Sequence, residues 1–105
     1  MIKTSLNSLH ITQDTTMPEL TDVSSFSVTN YGEKDMYLMV NGVERLVAGF
    51  DHTIYAVPIG CFSMDGDGTF SDIKLEFRFP GGGDGNAVLD YRKLKEQQNN
   101  PICTV

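Results

Sequence analysis

The sequence is poor in the residues that most often mark a catalytic or metal site. Its 105 residues include two histidines, two cysteines and no tryptophan. The spacing of His10, His52, Cys61 and Cys103 does not match the ligand spacing of a zinc site. No motif pairs a nucleophile with a general base, although His52 and Cys61 are the two residues that a cysteine mechanism would need. We therefore expect no enzyme activity and no cofactor.

The chain also lacks long apolar runs and an excess of positive charge. No segment approaches the roughly 20 apolar residues of a membrane helix, and residues 1–16 contain no apolar core typical of a secretory signal. The formal net charge of −6 disfavours nucleic acid, whose phosphates are bound by lysine and arginine, and an anionic membrane surface. We therefore expect that the protein binds neither nucleic acid nor a membrane and is not secreted. We also expect both thiols to be reduced, with Cys61 in the core and Cys103 in the tail.

What the sequence does contain is short alternating apolar segments separated by turn residues, which predicts an all-β domain. The predicted strands cover about residues 8–12, 26–30, 36–40, 43–47, 53–59, 73–79 and 87–94. Asn41–Gly42 favours a type I′ turn between two of them, because both residues accept a positive φ. In residues 73–79, the side chains of Ile73, Leu75, Phe77 and Phe79 share one face, which we expect to be core.

These strand intervals are typical of a small antiparallel β-sandwich, immunoglobulin-like or jelly-roll-like, with a small barrel as the alternative. We assign the sandwich and a short C-terminal tail to residues 26–105. Residues 1–25 are predicted to form an extended N-terminal arm, because their apolar spacing fits neither a helix nor a long strand. This arm supplies the predicted partner-binding residues: Met1, Ile2, Leu6, Leu9, Ile11, Met17 and Leu20.

The stretch SMDGDGTFSDIKLE resembles the centre of an EF-hand calcium loop. With Gly68 at position 6 of that loop, Asp65, Asp67, Thr69 and Ser71 occupy ligand positions. The first position is Ser63 and the twelfth, where a bidentate Glu is needed, is Lys74. We interpret the stretch as a turn, since Asp and Gly favour turns, and leave open a weak cation site made by Asp65, Asp67 and Asp72.

Two further patterns could serve ligand binding. GGGDG at residues 81–85 is not followed by the GK[ST] of a phosphate loop, so we interpret it as a mobile hairpin loop. The aromatic residues could form a sugar-binding platform, although strand aromatics are more often core; these are Tyr31, Tyr37, Phe50, Tyr55, Phe62 and Phe70.

The order FSVTNYGEKDMYLMVNGVERLVAG…TIYAVPIG…GTFSDIKLEFRF…NAVLDYRKL, over about residues 26–94, resembles small head-associated β domains of tailed bacteriophages, such as those of crAss-like phages. The resemblance rests on a layout of strand, NG hairpin, glycine turn, alternating strand and AVLxYxKL. It implies a structural virion protein, made in the host cytoplasm, that decorates the outside of a phage head. The implied partners are the major capsid protein, other virion proteins or further copies of this chain.

Two alternatives come from other classes of protein. One is a carbohydrate- or surface-binding β-sandwich module of the fibre or adhesin type, which would expose a row of aromatic side chains. The other is a small cytosolic enzyme or inhibitor, which as an enzyme would depend on His52 or Cys61.

Overall fold

A computed structural model describes residues 3–80 and 85–95, and this part of the chain is all β, with no helix. Its strands are β1 Thr4–Ile11, β2 Thr15–Thr16, β3 Leu20–Asn30, β4 Met36–Val40, β5 Val43–Val47, β6 Cys61–Met64, β7 Ser71–Ile73, β8 Leu75–Arg78 and β9 Ala87–Leu94. The all-β prediction is confirmed.

The strands form two antiparallel sheets that pack as a small sandwich. The first has the order β1-β9-β3-β6, with β7 also paired to β3, and the second has the order β2-β8-β4-β5. Inward-facing side chains from both sheets make one hydrophobic core. Its fully buried members are Val23, Val28, Met36, Leu38, Val47, Leu75, Phe77, Ala87 and Leu89.

The hairpin predicted around Asn41–Gly42 is present. β4 and β5 pair from Met36↔Val47 to Val40↔Val43. Asn41 has a φ of 50° and Gly42 a φ of 84°, which are the two positive values that a type I′ turn requires. The local turn chemistry therefore predicted both the position and the type of this turn.

The strand predicted at residues 73–79 is divided between the two sheets. Ile73 ends β7, which pairs with β3, whereas Leu75 begins β8, which pairs with β4. The chain changes sheets at Lys74, whose N–H donates to Asn41 Oδ1 at 2.8 Å and whose carbonyl accepts from Asn41 N–H at 2.9 Å. The alternation survives the crossing, because Ile73, Leu75, Phe77 and Phe79 are all buried.

The strand predicted at residues 53–59 was wrong, and these residues form a loop. The carbonyl of Asp51 accepts the N–H groups of Ile54 and Tyr55 at 3.0 and 2.9 Å. The Asp51 carboxylate accepts the N–H of Thr53 at 2.9 Å. A turn organised by one aspartate thus overrides the β propensity of the residues that follow.

The prediction that Cys61 lies in the core was also wrong, since Cys61 is an exposed free cysteine. It begins β6, in which Phe62 and Met64 are the half-buried residues packed on the core. Alternation along the strand directs Cys61 and Ser63 to the other face. Cys103 lies outside the described residues.

The described part of the N-terminal 25 residues is paired within the two sheets. β1 aligns with β9 from Thr4↔Leu94 to Ile11↔Ala87, and β2 pairs with β8. The boundary predicted at residue 25 falls inside β3, which begins at Leu20. Sequence patterning missed this start because Asp22 has a φ of 57° and the register shifts around Val23, which interrupts the two-residue period.

Candidate functional site

The most exposed apolar segment of the described chain is the loop of residues 51–59, called the apolar loop below. Four of its side chains are large, apolar and exposed: Ile54 at 71%, Tyr55 at 46%, Val57 at 66% and Ile59 at 55%. Single exposed apolar side chains are ordinary, whereas clusters of them often serve as interaction sites, so this loop is the candidate interaction surface.

The two ends of the apolar loop are held close together by glycine contacts. Gly60 is buried against the backbone of Ala48, and a Cβ added there would overlap the Ala48 carbonyl oxygen. Gly49 packs in the same way on the backbone of Glu33 and Lys34. These close approaches require residues without a side chain, so the base of the loop is fixed by backbone packing.

Asn30 is the polar residue that joins this base to the sheet. Its side chain is buried, and Nδ2 donates to the carbonyls of Lys34 at 2.8 Å and Val47 at 3.1 Å. Its Oδ1 accepts the N–H of Gly32 at 2.9 Å. The Asn30 backbone N–H donates to the Gly60 carbonyl at 3.0 Å. One residue at the end of β3 therefore positions the 31–35 turn, the end of β5 and the end of the apolar loop.

The first half of the apolar loop is also anchored. Phe50 is buried, its N–H donates to the Gly32 carbonyl at 3.0 Å, and its ring lies 4.4 Å from the His52 ring. His52 Nε2 lies 2.9 Å from the carbonyl oxygen of Tyr31. The hydroxyl and N–H of Thr53 hold the pKa of the Asp51 carboxyl below its ordinary value. The exposed apolar residues are thus displayed from an ordered base.

A cleft lined by polar residues and glycines lies beside the anchored half of the loop. Its volume is about 360 Å³, and Gly32, Glu33, Lys34, His52, Gly85 and Asn86 line it. His52 Nδ1 lies 3.8 Å from a Glu33 carboxylate oxygen. Cys61 does not line this cleft, and its Sγ accepts a hydrogen bond from Thr29 at 3.7 Å.

The predicted partner-binding residues that the structure describes differ in burial. Leu6 and Leu9 are exposed on β1, whereas Ile11 belongs to the buried core. Met17 and Leu20 are half-buried and pack against that core. Met1 and Ile2 lie outside the described residues.

The acidic residues of the DGDG stretch form a turn. Asp67 Oδ1 accepts the N–H of Thr69 at 3.0 Å and its hydroxyl at 2.5 Å, and these bonds lower the pKa of the Asp67 carboxyl. Asp72 Oδ1 accepts the N–H of Asp22 at 3.2 Å. Across residues 3–80 and 85–95, no three His, Cys, Asp or Glu side chains are grouped so that they could hold a metal ion.

The candidate sugar-binding aromatic residues differ in how far their side chains are exposed. Tyr31 and Tyr55 are exposed, Phe50 is buried, and Tyr37, Phe62 and Phe70 are half-buried. Phe62 packs on Phe26 with ring centroids 5.8 Å apart, and the Arg45 guanidinium lies 4.6 Å above it. Phe62 therefore links the two sheets and is not a free platform. Most of GGGDG, residues 81–84, lies outside the described residues.

The comparisons leave the family open. No family model matches the chain, and no curated protein or solved structure is significantly similar to it. Among the residues described, no helix is long and apolar enough to cross a membrane.

Sequence reasoning missed the apolar loop because Ile54, Tyr55, Val57 and Ile59 have the composition of a strand. The available signal was the DHT turn before them and Pro58 among them. It also missed Asn30, although Asn30 continues the alternation of Phe26 and Val28 and so falls on the buried face of β3.

Proposed function

We propose that this chain is a structural virion protein, an auxiliary or decoration protein that binds the outside of a bacteriophage head lattice. The observation that carries the proposal is the apolar loop, in which four large apolar side chains are exposed on a clamped base. We assign the contact with the major capsid protein to this loop. The phage identity rests on the resemblance in strand and turn layout over about residues 26–94.

Hydrophobic contact is the binding mode that the loop's chemistry favours. Complete burial of one Val, Ile or Tyr side chain contributes on the order of 1.5–3 kcal/mol, from which the loss of freedom on association must be subtracted. A clamped base reduces that loss, because the loop is ordered before it binds. Many copies on a lattice would add avidity to a modest contact.

The net charge of the chain limits the other partners. A charge of −6 repels an anionic lipid surface and nucleic acid. An apolar loop on an acidic domain therefore fits an apolar groove on a protein better than it fits a membrane. The side chains of Glu33, Lys34 and His52 beside the loop would supply the polar rim that protein interfaces commonly have.

The test is co-sedimentation of the purified chain with phage heads that lack it. We expect the wild type to sediment with the heads, and the double variant Ile54→Ser/Val57→Ser to remain in the supernatant. The matched control is Val43→Ser/Leu46→Ser, which replaces two other exposed apolar side chains, both on β5. Val43 is 56% exposed and Leu46 is 58% exposed. Binding by both double variants would contradict the role of the loop, and failure of the wild type to bind would contradict the proposal itself.

A carbohydrate-binding module is the second candidate, and it is favoured by the exposure of Tyr31 and Tyr55. Sugar binding depends on the aromatic faces, whereas docking in an apolar groove also uses the aliphatic residues. Glycan-array binding that is lost in Tyr55→Ala and kept in Ile54→Ser/Val57→Ser would select this function. No glycan binding by the wild type would eliminate it.

A further inference from the structure

The free edge of β1 is a second candidate binding surface of the described chain. β1 is the outermost strand of its sheet, pairs with β9 at all eight positions, and meets no other strand of the described chain. Exposed edges present unpaired backbone groups, and natural proteins protect them with charges, prolines, bulges or short strands. β1 has none of these protections: TSLNSLHI contains no charged residue and no proline, and its register is uninterrupted.

The other outer strands differ from β1. β2 has two residues, β7 has three and β6 has four, so each offers little backbone. β5 has five residues, two of which are Glu44 and Arg45. The longest free edge among the described strands is therefore also one without charge.

The backbone groups that face outward from β1 can be assigned. The N–H of Lys95 donates to the carbonyl of Lys3 at 3.0 Å, one position beyond Thr4↔Leu94. Because hydrogen-bonded positions alternate along an antiparallel pair, the odd-numbered residues of β1 bond to β9. The N–H and C=O groups of Thr4, Leu6, Ser8 and His10 then point away from β9.

We propose that two copies of this chain dimerise by antiparallel pairing of their β1 strands, which joins two sheets into one. A second copy is the occupant that the charge pattern fits best. The net charge of −6 on each chain makes two copies repel each other overall, whereas an uncharged strand opposite itself brings no like charges together.

Two-fold symmetry also suits the pattern of outward groups. When the strands are centred on Asn7, Thr4 of one copy lies opposite His10 of the other, and Leu6 lies opposite Ser8. This register uses all four outward residues of both copies and forms about eight backbone hydrogen bonds. It places Leu6 opposite Ser8 and Leu9 opposite Ser5 of the other copy, on the two faces of the joined sheet. The interface is independent of the apolar loop and does not require the proposed function.

Sedimentation velocity of the full chain over a wide concentration range tests the dimer. We expect Leu6→Lys to raise the dissociation constant by about tenfold or more, because it sets a charge on the edge while Leu6, 65% exposed, is not needed for folding. The control is Leu46→Lys on β5, which should dimerise like the wild type. A monomeric wild type would overturn self-pairing and leave an extended segment of another protein as the occupant. Equal dimerisation of Leu6→Lys and the wild type would overturn it as well.

Cross-linking tests the pairing itself. In a chain with Cys61 and Cys103 replaced by serine, Asn7→Cys should form an intermolecular disulfide on oxidation, because the two Asn7 Cα atoms would lie about 4.5 Å apart. Ser5→Cys is the control, since residue 5 would face Leu9 of the other copy. Equal cross-linking of the two variants would contradict the β1 pairing.

Discussion

At the residue scale, Asn30 connects three chain segments through a single buried amide. Its side chain makes three hydrogen bonds with backbone groups of Gly32, Lys34 and Val47. A buried group left without a partner costs about 1–3 kcal/mol. Removing the amide is therefore expected to destabilise the fold and to release the backbone groups of Gly32, Lys34 and Val47 that it holds.

Replacing Asn30 with Ala should lower the free energy of unfolding by at least about 1–3 kcal/mol, since it strands buried polar groups. It should also move the NMR signals of the apolar loop. The Asn30 side chain holds Gly32, whose carbonyl accepts the Phe50 N–H, and Val47, which precedes the Ala48 that packs on Gly60. The backbone bond from Asn30 to the Gly60 carbonyl is kept in this variant. Urea denaturation and amide chemical shifts measure the two effects. Asn7→Ala is the control, as the Asn7 amide makes only long local contacts of 3.4 Å. Loop signals unchanged in Asn30→Ala would show that the Asn30 side chain does not position the loop.

The Asp67 carboxyl gives a prediction in acid. Hydrogen bonds from Thr69 lower the pKa of the folded-state Asp67 carboxyl below 3.8. The ionised carboxyl therefore stabilises the folded state fully above the pKa of the unfolded state, and this contribution is lost as the pH falls through the lower folded-state pKa. Thr69→Val removes the hydroxyl bond and should raise the pKa of Asp67, measured by NMR titration. The Asp51 carboxyl, held by Thr53, is the internal control and should not change. A constant Asp67 pKa would refute the turn geometry.

Phe77 tests the core assignment that follows from alternation alone. It is fully buried on β8, so Phe77→Ala should reduce the free energy of unfolding by about 3–5 kcal/mol. Leu46→Ala, at an exposed position, should change it by less than about 0.5 kcal/mol. If the two variants lower the free energy of unfolding equally in chemical denaturation, the assignment of Phe77 to the core is wrong.

At the element scale, the apolar loop depends on backbone contact at its base. Gly60→Ala places a methyl group against the Ala48 carbonyl, and overpacking of this kind costs about 1–3 kcal/mol. We expect a lower melting temperature and weaker co-sedimentation with phage heads. Gly66→Ala is the matched control, because a Cβ there meets its nearest neighbour at 3.5 Å, an ordinary contact. Identical behaviour of the two variants would show that the base is not tightly packed.

The elements that sequence patterning predicted are those governed by local rules. The Asn41–Gly42 turn and the inward residues of β8 and β9 follow from turn chemistry and alternation. The loop at residues 53–59 could not be predicted from these local rules, because the Asp51 turn overrides the β propensity of these residues. The division of residues 73–79 between sheets depends on Asn41, a contact distant in sequence that no local pattern contains.

At the scale of the whole molecule, the sandwich presents two separate surfaces of different character. The apolar loop offers side chains from a fixed base, and the β1 edge offers backbone groups without charge. If both proposals hold, the domain contacts a partner with the apolar loop and another copy of itself with the β1 edge. Neither surface was predictable from the sequence, since exposure and strand order are properties of the assembled fold.

The proposed function requires that a phage encodes this chain, so cryo-electron microscopy of purified particles of that phage is the most direct test of the central claim. We predict copies of the domain on the outside of the head, in a regular array, with residues 54–59 against the major capsid protein. Heads that lack the domain, or a domain bound to the head with that loop facing solvent, would contradict the account.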